Sequence, residues 1–228
     1  DKLTYASTWD RLRDIGAYDD KRILCLATDF SKPLSEGVIS EIGYVDHVIH
    51  MGGETHVDNA ISNPQSFIEA NVLGTMHMLE FAKQVKPKKF LYFSTDEVFG
   101  PAPEGVNYGE EDTHNPTNPY SATKSGAEML CKSYKNCYGV PVVITRTMNA
   151  IGERQHSEKF IPKVIHALLN GEKLIIHANP ERTKAGTRFY IHSRNIASAY
   201  DFLMRKGEIG ESYHIVGERE VDNLTLAK

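Results

Sequence analysis

The chain is poor in the features that mark secreted, membrane-bound and nucleic-acid-binding proteins. It has 228 residues but only three cysteines, a formal net charge of −4, and no apolar run near the ~18–20 residues that span a bilayer. Few and widely spaced cysteines argue against a disulfide framework and are typical of a reducing compartment. The small net charge gives no support for binding to nucleic acid or to a membrane surface. We therefore expect a cytoplasmic globular protein.

The candidate metal ligands are too dispersed to predict a metal site. The ten histidines are scattered along the chain. Cys131 and Cys137 are six residues apart, which is not the spacing of zinc-binding cysteines. Cys25 and Cys131 lie in apolar segments and are expected to be packing residues.

Short apolar runs alternate with helical stretches, and this alternation is typical of βαβ units. Strands are predicted at 22–27, 45–50, 90–93, 142–145 and 173–177, and helices at 33–42, 63–86, 118–138, 160–169 and 193–204. Such an order predicts a parallel sheet covered by helices on both faces, with ligands bound at the carboxyl ends of the strands.

Two of the predicted helices have clear sequence signals. Asn118 as the cap, Pro119 at the first helical position and Gly139 after the last turn define the helix at 118–138. In the helix at 63–86, residues at helical spacing are predicted to face the core. They are Ile68, Val72, Thr75, Leu79 and Ala82.

The reactive side chains are concentrated where a predicted strand ends and a helix begins. Tyr120 and Lys124 are four residues apart and share one helix face. A nearby ammonium lowers the pKa of a phenol, which makes tyrosine a usable base during hydride transfer. Asp96 and Glu97 follow the strand end directly, and two carboxyl groups at a buried edge can act as acid and base. Taken alone, such pairs are more often solvated surface residues.

These segments resemble the extended short-chain dehydrogenase/reductases, and most closely the dTDP-glucose 4,6-dehydratase family. Residues 94–100 are similar to the family's STDEVYG, with Phe99 in place of Tyr. The segments at 118–124, 50–58 and 154–162 are similar to NPYSASK, HLAAESHVD and RQYPEKLIP. The acidic pair is the specific part, because epimerases of the same fold have Ser or Thr without it.

The resemblance implies a role for each reactive residue. Tyr120 would take the proton of the sugar C4 hydroxyl, Thr95 would hydrogen-bond that hydroxyl, and Lys124 would bind the nicotinamide ribose. Glu97 would remove the C5 proton, and Asp96 would protonate the departing C6 hydroxyl. The reaction implied is the conversion of dTDP-glucose or UDP-glucose to its 4-keto-6-deoxy sugar by an NAD-dependent lyase.

The resemblance also implies the contacts of the cofactor, NAD, and of the substrate. The implied cofactor-binding residues are Asp1, Lys2, Asp29, Phe30, Gly52, Gly53, Tyr120 and Lys124. The implied substrate-binding residues are Thr55, Asn149, Lys159 and Arg188. Arginine suits a diphosphate because its guanidinium binds phosphate through two parallel hydrogen bonds. Without the resemblance, Arg188 is an ordinary strand residue and Lys159 a solvated residue at a helix start.

The expected fold is a Rossmann-like doubly wound parallel sheet that lacks its first strand–helix unit. An NAD-binding domain is expected at 1–147 and a partial nucleotide-sugar-binding region at 148–228, of which 188–216 would return to the first domain. The family's G-x-x-G-x-x-G loop is not among the 228 residues. We therefore expect these residues by themselves to bind NAD weakly and to have little activity.

Two alternative functions remain open on the sequence. One is a UDP-sugar 4-epimerase or decarboxylase of the same superfamily, which Asp96 and Glu97 disfavour. The other is an inactive, truncated interaction module, which the missing Gly-rich loop favours and the intact reactive residues disfavour. The helices that begin at Pro64 and Pro119 have apolar residues on more than one side, which predicts a homodimer, or else burial of both sides within one chain.

Overall fold

A four-stranded sheet of order β1-β2-β3-β6 organises the computed structural model, which describes residues 1–103 and 105–228. Its strands are His47–His50 (β1), Lys89–Thr95 (β2), Val142–Thr147 (β3) and Ser212–Ile215 (β6). β1 and β2 run parallel, with His47 opposite Lys89 and His50 opposite Tyr92. The parallel sheet and its helices confirm the predicted α/β class.

Helices precede and connect the first three strands. They are Asp10–Arg13 (α1), Glu36–Ile42 (α2), Val57–Ser62 (α3), Pro64–Phe67 (α4), Gly74–Val85 (α5) and Pro119–Tyr138 (α6). A π-helix, Ile68–Leu73, joins α4 to α5, and a 3₁₀ turn, Asp96–Phe99, follows β2. α6 has the predicted caps: Asn118 forms a capping box with Ser121, and Gly139 ends the helix in the left-handed conformation.

The described chain divides into two compact units. The first comprises Asp1–Arg146 and Phe202–His214, and the second Thr147–Asp201 and Ile215–Lys228. The remaining elements are Asn149–Ile151 (β4), Phe160–Asn170 (α7), Thr187–His192 (β5), Ser193–Lys206 (α8), Glu220–Asp222 (β7) and Asn223–Ala227 (α9). In the second unit β5 pairs with β4 in parallel and with β7 in antiparallel orientation.

The core of the first unit lies where the sheet meets α5 and α6. Every residue of β3 is buried, as expected of a strand covered on both faces. The buried side chains that pack together include Val48, Leu79, Phe90, Tyr92, Cys131, Val142 and Ile144. Cys131 is thus a packing residue, as predicted.

Two predicted strands are absent from the described residues. Residues 22–27 are largely exposed and have no strand conformation. Their segment meets Asp1 through two backbone hydrogen bonds, from Asp1 N to Leu26 O and from Thr28 N to Asp1 O. Residues 173–177 are also irregular, and only an isolated bridge joins Ala178 to Ala185. An apolar run becomes a strand only when a neighbouring strand takes up its backbone hydrogen bonds, and neither segment has such a neighbour along its length.

The predicted helix at 63–86 exists, but its register differs from the prediction. Thr75, Leu79 and Ala82 are buried, whereas Ile68 is 49% exposed. A π-helix has more residues per turn than an α-helix, so the residues before α5 do not follow the α-helical spacing that predicts Ile68 on the buried face. Phe67 and Asn71 are buried in place of Ile68.

Among residues 1–103 and 105–228, no helix combines the length and the apolar character needed to cross a membrane. The same residues contain no group of three or more His, Cys, Asp or Glu side chains arranged to hold a metal ion.

His50 lies at the end of β1 and is almost fully buried. Its Nε2 atom is 3.1 Å from Thr75 Oγ1, and its ring meets the Phe30 ring edge-on. Because the Thr75 hydroxyl donates to the Asn71 carbonyl, Nε2 has to donate to Thr75. Burial, with a smaller contribution from the charge of Lys124, lowers the pKa of His50 to about 3.

We predict that His50 makes the fold sensitive to acid. A histidine whose folded-state pKa lies below its usual 6.5 stabilises the fold by staying neutral, and this stabilisation is lost as the pH falls from 6.5 toward 3. The loss has an upper bound of about 5 kcal/mol. Urea unfolding between pH 7 and pH 4 should show a smaller loss for His50→Gln than for the wild type. His47→Gln, in an exposed position of the same strand, should follow the wild type; equal slopes for all three proteins would contradict the prediction.

Candidate active site

The turn after β2 presents two carboxyl groups beside a buried hydroxyl. Thr95 caps the turn: its Oγ1 accepts a hydrogen bond from the Glu97 N–H at 3.3 Å and lies 3.2 Å from Asp96 Oδ1. Val98 and Phe99 are buried, which fixes the turn to the core, while Asp96 and Glu97 are half-buried. Their carboxyl groups are therefore held in place and still open to a ligand.

The start of α6 is tied to this turn. Asn118 Oδ1 accepts from the Ser121 N–H at 2.8 Å, and Asn118 Nδ2 donates to Glu97 Oε2 at 3.1 Å. One side chain thus caps the helix and orients a carboxylate of the turn. Tyr120 and Lys124 lie one helical turn apart on the buried face of α6.

The electrostatics of Tyr120 differ from the expectation for an adjacent tyrosine–lysine pair. Burial, with the charges of Glu97 and Asp96, raises the pKa of Tyr120, and a hydrogen bond with Thr95 opposes this change. The Lys124 ammonium does not lower it, because it donates instead to the Phe93 carbonyl at 2.6 Å. Burial lowers the pKa of Lys124 to about 8.

Chemically, the first unit brings together a hydroxyl, a phenol, an ammonium and two carboxyl groups. The hydrogen bonds connect Thr95 to Tyr120 and Glu97 to the cap of the helix that contains Lys124. This set can bind a polar substrate, accept a proton from a hydroxyl and exchange a second proton elsewhere on the same molecule.

The residues assigned to the adenosine end of a cofactor also lie together. Asp1 accepts hydrogen bonds from the Leu3 N–H and the Ser7 hydroxyl, at 2.6 Å and 3.1 Å. Lys2 pairs with Asp29 at 3.8 Å, and the two side chains are 35% and 36% exposed. Both carboxylates retain free lone pairs of the kind that bind ribose hydroxyls.

Gly52 and Gly53 meet a packing requirement of the chain itself. A β-carbon on Gly52 would overlap the Phe30 ring, and one on Gly53 would lie 2.6 Å from Asn71 Oδ1. The ring of Phe30 also leaves no room for a β-carbon on Gly74, at 2.7 Å. The glycines therefore let this loop lie directly against Phe30 and Asn71.

Asn71 is a site residue that sequence reasoning missed. Its Oδ1 accepts from the Glu54 N–H at 2.8 Å, and its Nδ2 donates to Glu54 O at 3.0 Å and to Thr123 Oγ1 at 2.9 Å. Thr123 in turn donates to the carbonyl of Tyr120 at 2.7 Å. Asn71 thus links the glycine loop to α6 from within the π-helix, a conformation often found at functional sites.

The other substrate-binding candidates lie on two different units. Thr55 is exposed in the first unit, beside the glycine loop. Asn149, Lys159 and Arg188 belong to the second unit. There Asn149 on β4 is opposite Tyr190 on β5, so Asn149 and Arg188, two residues before Tyr190, are on the same face of the sheet.

The basic residues among these candidates are Arg188 and Lys159, both in the second unit. Arg188 is exposed and donates to the Thr187 carbonyl at 2.7 Å, which leaves other guanidinium donors for an anion. Lys159 is the N-cap residue of α7 and is half-buried, but its side chain makes no capping hydrogen bond.

The chain is similar in sequence to known proteins and in fold to solved structures. It is 45% identical over 194 residues to a dTDP-D-glucose 4,6-dehydratase of Dictyostelium discoideum, an alignment that covers 81% of this chain and 44% of that protein. It also superimposes on DesIV, a dTDP-glucose 4,6-dehydratase of Streptomyces venezuelae solved with NAD and TYD bound. The TM-score is 0.90 at 32% identity, and the superposition covers 100% of this chain and 68% of that chain.

A more distant neighbour shows the fold alone. A UDP-glucuronic acid 4-epimerase of Bacillus cereus, in complex with UDP-glucuronic acid and NAD, has a TM-score of 0.86 at 22% identity and covers 99% of this chain and 71% of that one. The shared fold is that of the short-chain dehydrogenase/reductases.

The chain belongs to the NAD dependent epimerase/dehydratase family, whose sequence model matches residues 1–216. The predicted resemblance to dTDP-glucose 4,6-dehydratases is confirmed by the relatives from Dictyostelium and Streptomyces. The chain spans less than half the length of the Dictyostelium relative.

We predict that Asn71 is essential for the stability of this region. Asn71→Ala removes three hydrogen bonds and leaves buried polar partners unsatisfied, which should lower the free energy of unfolding by about 2–4 kcal/mol. Asn59→Ala is the matched control, because Asn59 is exposed and donates only one side-chain bond seen here, to Tyr5 at 3.2 Å. Urea denaturation of both variants checks this, and a loss for Asn71→Ala no larger than for Asn59→Ala would refute it.

Proposed function

We propose that the protein containing this chain is an NAD-dependent nucleotide-sugar 4,6-dehydratase that acts on dTDP-glucose or UDP-glucose. The observation that carries the proposal is the pair Asp96–Glu97 directly after Thr95: Asp96 accepts a hydrogen bond from Thr95, and Glu97 accepts one from Asn118, the cap of α6. The two relatives named above as dTDP-glucose 4,6-dehydratases support the same reaction.

The order of steps follows from the acidity of the sugar hydrogens. The C5 hydrogen of an unmodified sugar is too weakly acidic for a carboxylate, but it becomes acidic once C4 is a ketone. Thr95 and Tyr120 therefore act first: Thr95 orients the C4 hydroxyl and Tyr120 accepts its proton. The raised pKa of Tyr120 means that its phenolate has to be stabilised on substrate binding, a role we assign to Lys124.

The acidic pair performs the elimination. Glu97 removes the C5 proton, and Asp96 protonates the C6 hydroxyl so that it leaves as water. This division of roles requires Glu97 to be ionised when it takes the C5 proton and Asp96 to be protonated when it donates to the C6 oxygen. Return of a hydride to C6 and of a proton to C5 gives the 4-keto-6-deoxy sugar.

NAD, when bound, would supply the hydride acceptor at C4 and return the same hydride to C6. The residues present fit its nucleoside parts: Asp1 and Asp29 offer carboxylates for hydroxyl groups, and Lys2 and Phe30 lie beside them. Lys124 and Tyr120 would hold the nicotinamide end of the cofactor. Gly52 and Gly53 complete this proposed surface, while Thr55, Asn149, Lys159 and Arg188 are proposed to bind the nucleotide sugar.

A 4-epimerase or decarboxylase of the same superfamily is the alternative reaction. Neither needs a second acid and base next to Thr95, so neither accounts for Asp96 and Glu97.

The three free cysteines support our placement of the protein in the cytoplasm.

The proposed reaction is tested with the protein that contains this chain, NAD⁺, and either dTDP-glucose or UDP-glucose. The 4-keto-6-deoxy product should form, seen by its absorbance in alkali. Glu97→Gln should lower kcat by about 10²–10⁴-fold, because the C5 proton loses its base. The variant should still oxidise C4, so absorbance of the reduced cofactor should persist.

Tyr120→Phe should abolish both signals, because it prevents the first proton transfer. Glu111→Gln, in an exposed loop position, and Tyr138→Phe, at the exposed end of α6, are the matched controls and should retain wild-type rates. A 4-epimer in place of the keto sugar, or full activity of Glu97→Gln, would reject the dehydratase assignment.

We also propose that the protein forms a homodimer through the surface made by the π-helix and α6. Ile68, Leu73 and Met129 are 49%, 40% and 45% exposed, and exposed apolar residues on long helices favour helix–helix association. Met129→Glu should shift the mass measured by light scattering toward the monomer. Ile209→Glu, at an exposed residue outside these helices, should leave the mass unchanged; a monomeric wild type would disprove the dimer.

A further inference from the structure

A fully buried ion pair lies next to the catalytic turn. The side chains of Arg146, on β3, and Glu128, on α6, are both 0% exposed. Glu128 Oε1 accepts from Arg146 Nε at 3.2 Å and Glu128 Oε2 accepts from Arg146 Nη2 at 2.8 Å, which is the two-pronged geometry of strong guanidinium–carboxylate pairs. Glu128 follows Tyr120 and Lys124 at the same four-residue spacing, so all three share the buried face of α6.

The guanidinium of Arg146 has three further contacts in the first unit. Its Nη1 donates to the carbonyl of Glu110 at 2.7 Å, and its Nη2 lies 3.3 Å from His114 Nε2. Its Cζ lies 4.9 Å from the centre of the Phe99 ring, a cation–π contact. One side chain therefore joins α6, the loop before it and the last residue of the Asp96–Phe99 turn.

Phe99 is enclosed on several sides. Its ring stacks on Tyr108 at 5.3 Å and meets His114 and His214 edge-on at 5.4 Å and 5.5 Å. Because Phe99 is the last residue of the turn that presents the two carboxyl groups, the packing of its ring anchors that end of the turn. Arg146 is the charged member of this enclosure, and it bonds to α6 through Glu128, as His114 does through Ser125.

The protonation state of His114 follows from the same contacts. All guanidinium nitrogens are donors, so the Nε2 atom of His114 that faces Arg146 has to accept. Nδ1 then holds the proton and donates to Ser125 Oγ at 2.8 Å. Burial and the charge of Arg146 lower the pKa of His114, although Glu128 opposes them.

We propose that Arg146 is a positioning residue that fixes the Asp96–Glu97 turn relative to Tyr120 and Lys124. The proposal rests on the proposed dehydratase function, because it assigns Arg146 to the step that needs both groups of residues. C4 oxidation uses Thr95 and residues of α6, which the helix cap already orders. Elimination needs in addition the correct placement of both carboxyl groups. Asn118 orients the Glu97 carboxylate, and the far end of the turn is anchored by Phe99, whose ring Arg146 contacts.

Arg146→Lys is the sharpest variant, because it keeps the charge and loses the planar fork. We expect kcat to fall about 10–100-fold with a change in KM below about threefold, since small displacements of catalytic groups cost rates of this order. The absorbance of reduced cofactor at the start of turnover should increase, because oxidation now outpaces elimination. Arg22→Lys, at an exposed arginine paired with Asp20, is the matched control and should match the wild type.

A second variant separates positioning from folding. The double substitution Arg146→Met with Glu128→Leu replaces the buried pair by apolar side chains of similar size, an exchange that often preserves stability. It should show a wild-type unfolding midpoint and the same excess of reduced cofactor. A double variant of wild-type stability with a wild-type transient would overturn the proposal.

A measurement without turnover keeps the two proposals distinguishable. In ¹⁵N spectra of the wild type, His114 should show the neutral Nδ1–H tautomer. In Arg146→Lys the amide signals of residues 96–99 should shift, and those of residues 47–50 should not. If the wild type makes no keto sugar, the dehydratase proposal fails by itself; if the signals of 96–99 are unchanged in Arg146→Lys, the positioning role of Arg146 fails whatever the reaction.

Discussion

The cap of α6 is the constraint on which the rest of the site depends. The side chain of Asn118 accepts a hydrogen bond from the Ser121 N–H in the first turn of a 20-residue helix and at the same time donates to Glu97. The direction of that helix determines where Tyr120 and Lys124 lie, and the same side chain determines where one carboxylate points. The side chains of Glu97, Tyr120 and Lys124 are therefore aligned in part by local hydrogen bonds at a helix end.

Much of this arrangement could be predicted from local signals. The Asn-Pro start and the glycine after Tyr138 gave α6 its bounds, because caps and turn residues act within a few positions of themselves. The apolar run at 90–93 became a buried strand, since neighbouring strands cover it on both sides. The runs at 22–27 and 173–177 have similar composition but lie outside the sheet, and composition does not reveal whether a strand partner is present.

The residues that sequence reasoning missed form hydrogen bonds to residues that are far away in the sequence. Asn71 bonds to Glu54 and to Thr123, which are 17 and 52 positions away. Arg146 bonds to Glu128 and to Glu110, which are 18 and 36 positions away. Neither Asn71 nor Arg146 belongs to a recognisable local pattern. Only the partner of Arg146 does, because Glu128 continues the four-residue spacing of Tyr120 and Lys124. Their roles became apparent only once the fold had placed their partners beside them.

The ring of Phe30 occupies space that a β-carbon on either Gly52 or Gly74 would need. It also meets the ring of His50 edge-on, so it cannot withdraw without disturbing a buried residue. A smaller side chain at position 30 would open this space and permit alanine at 52 or 74. These three positions are far apart in the sequence, yet we expect them to have changed together during evolution, with glycine retained wherever an aromatic ring stands at position 30.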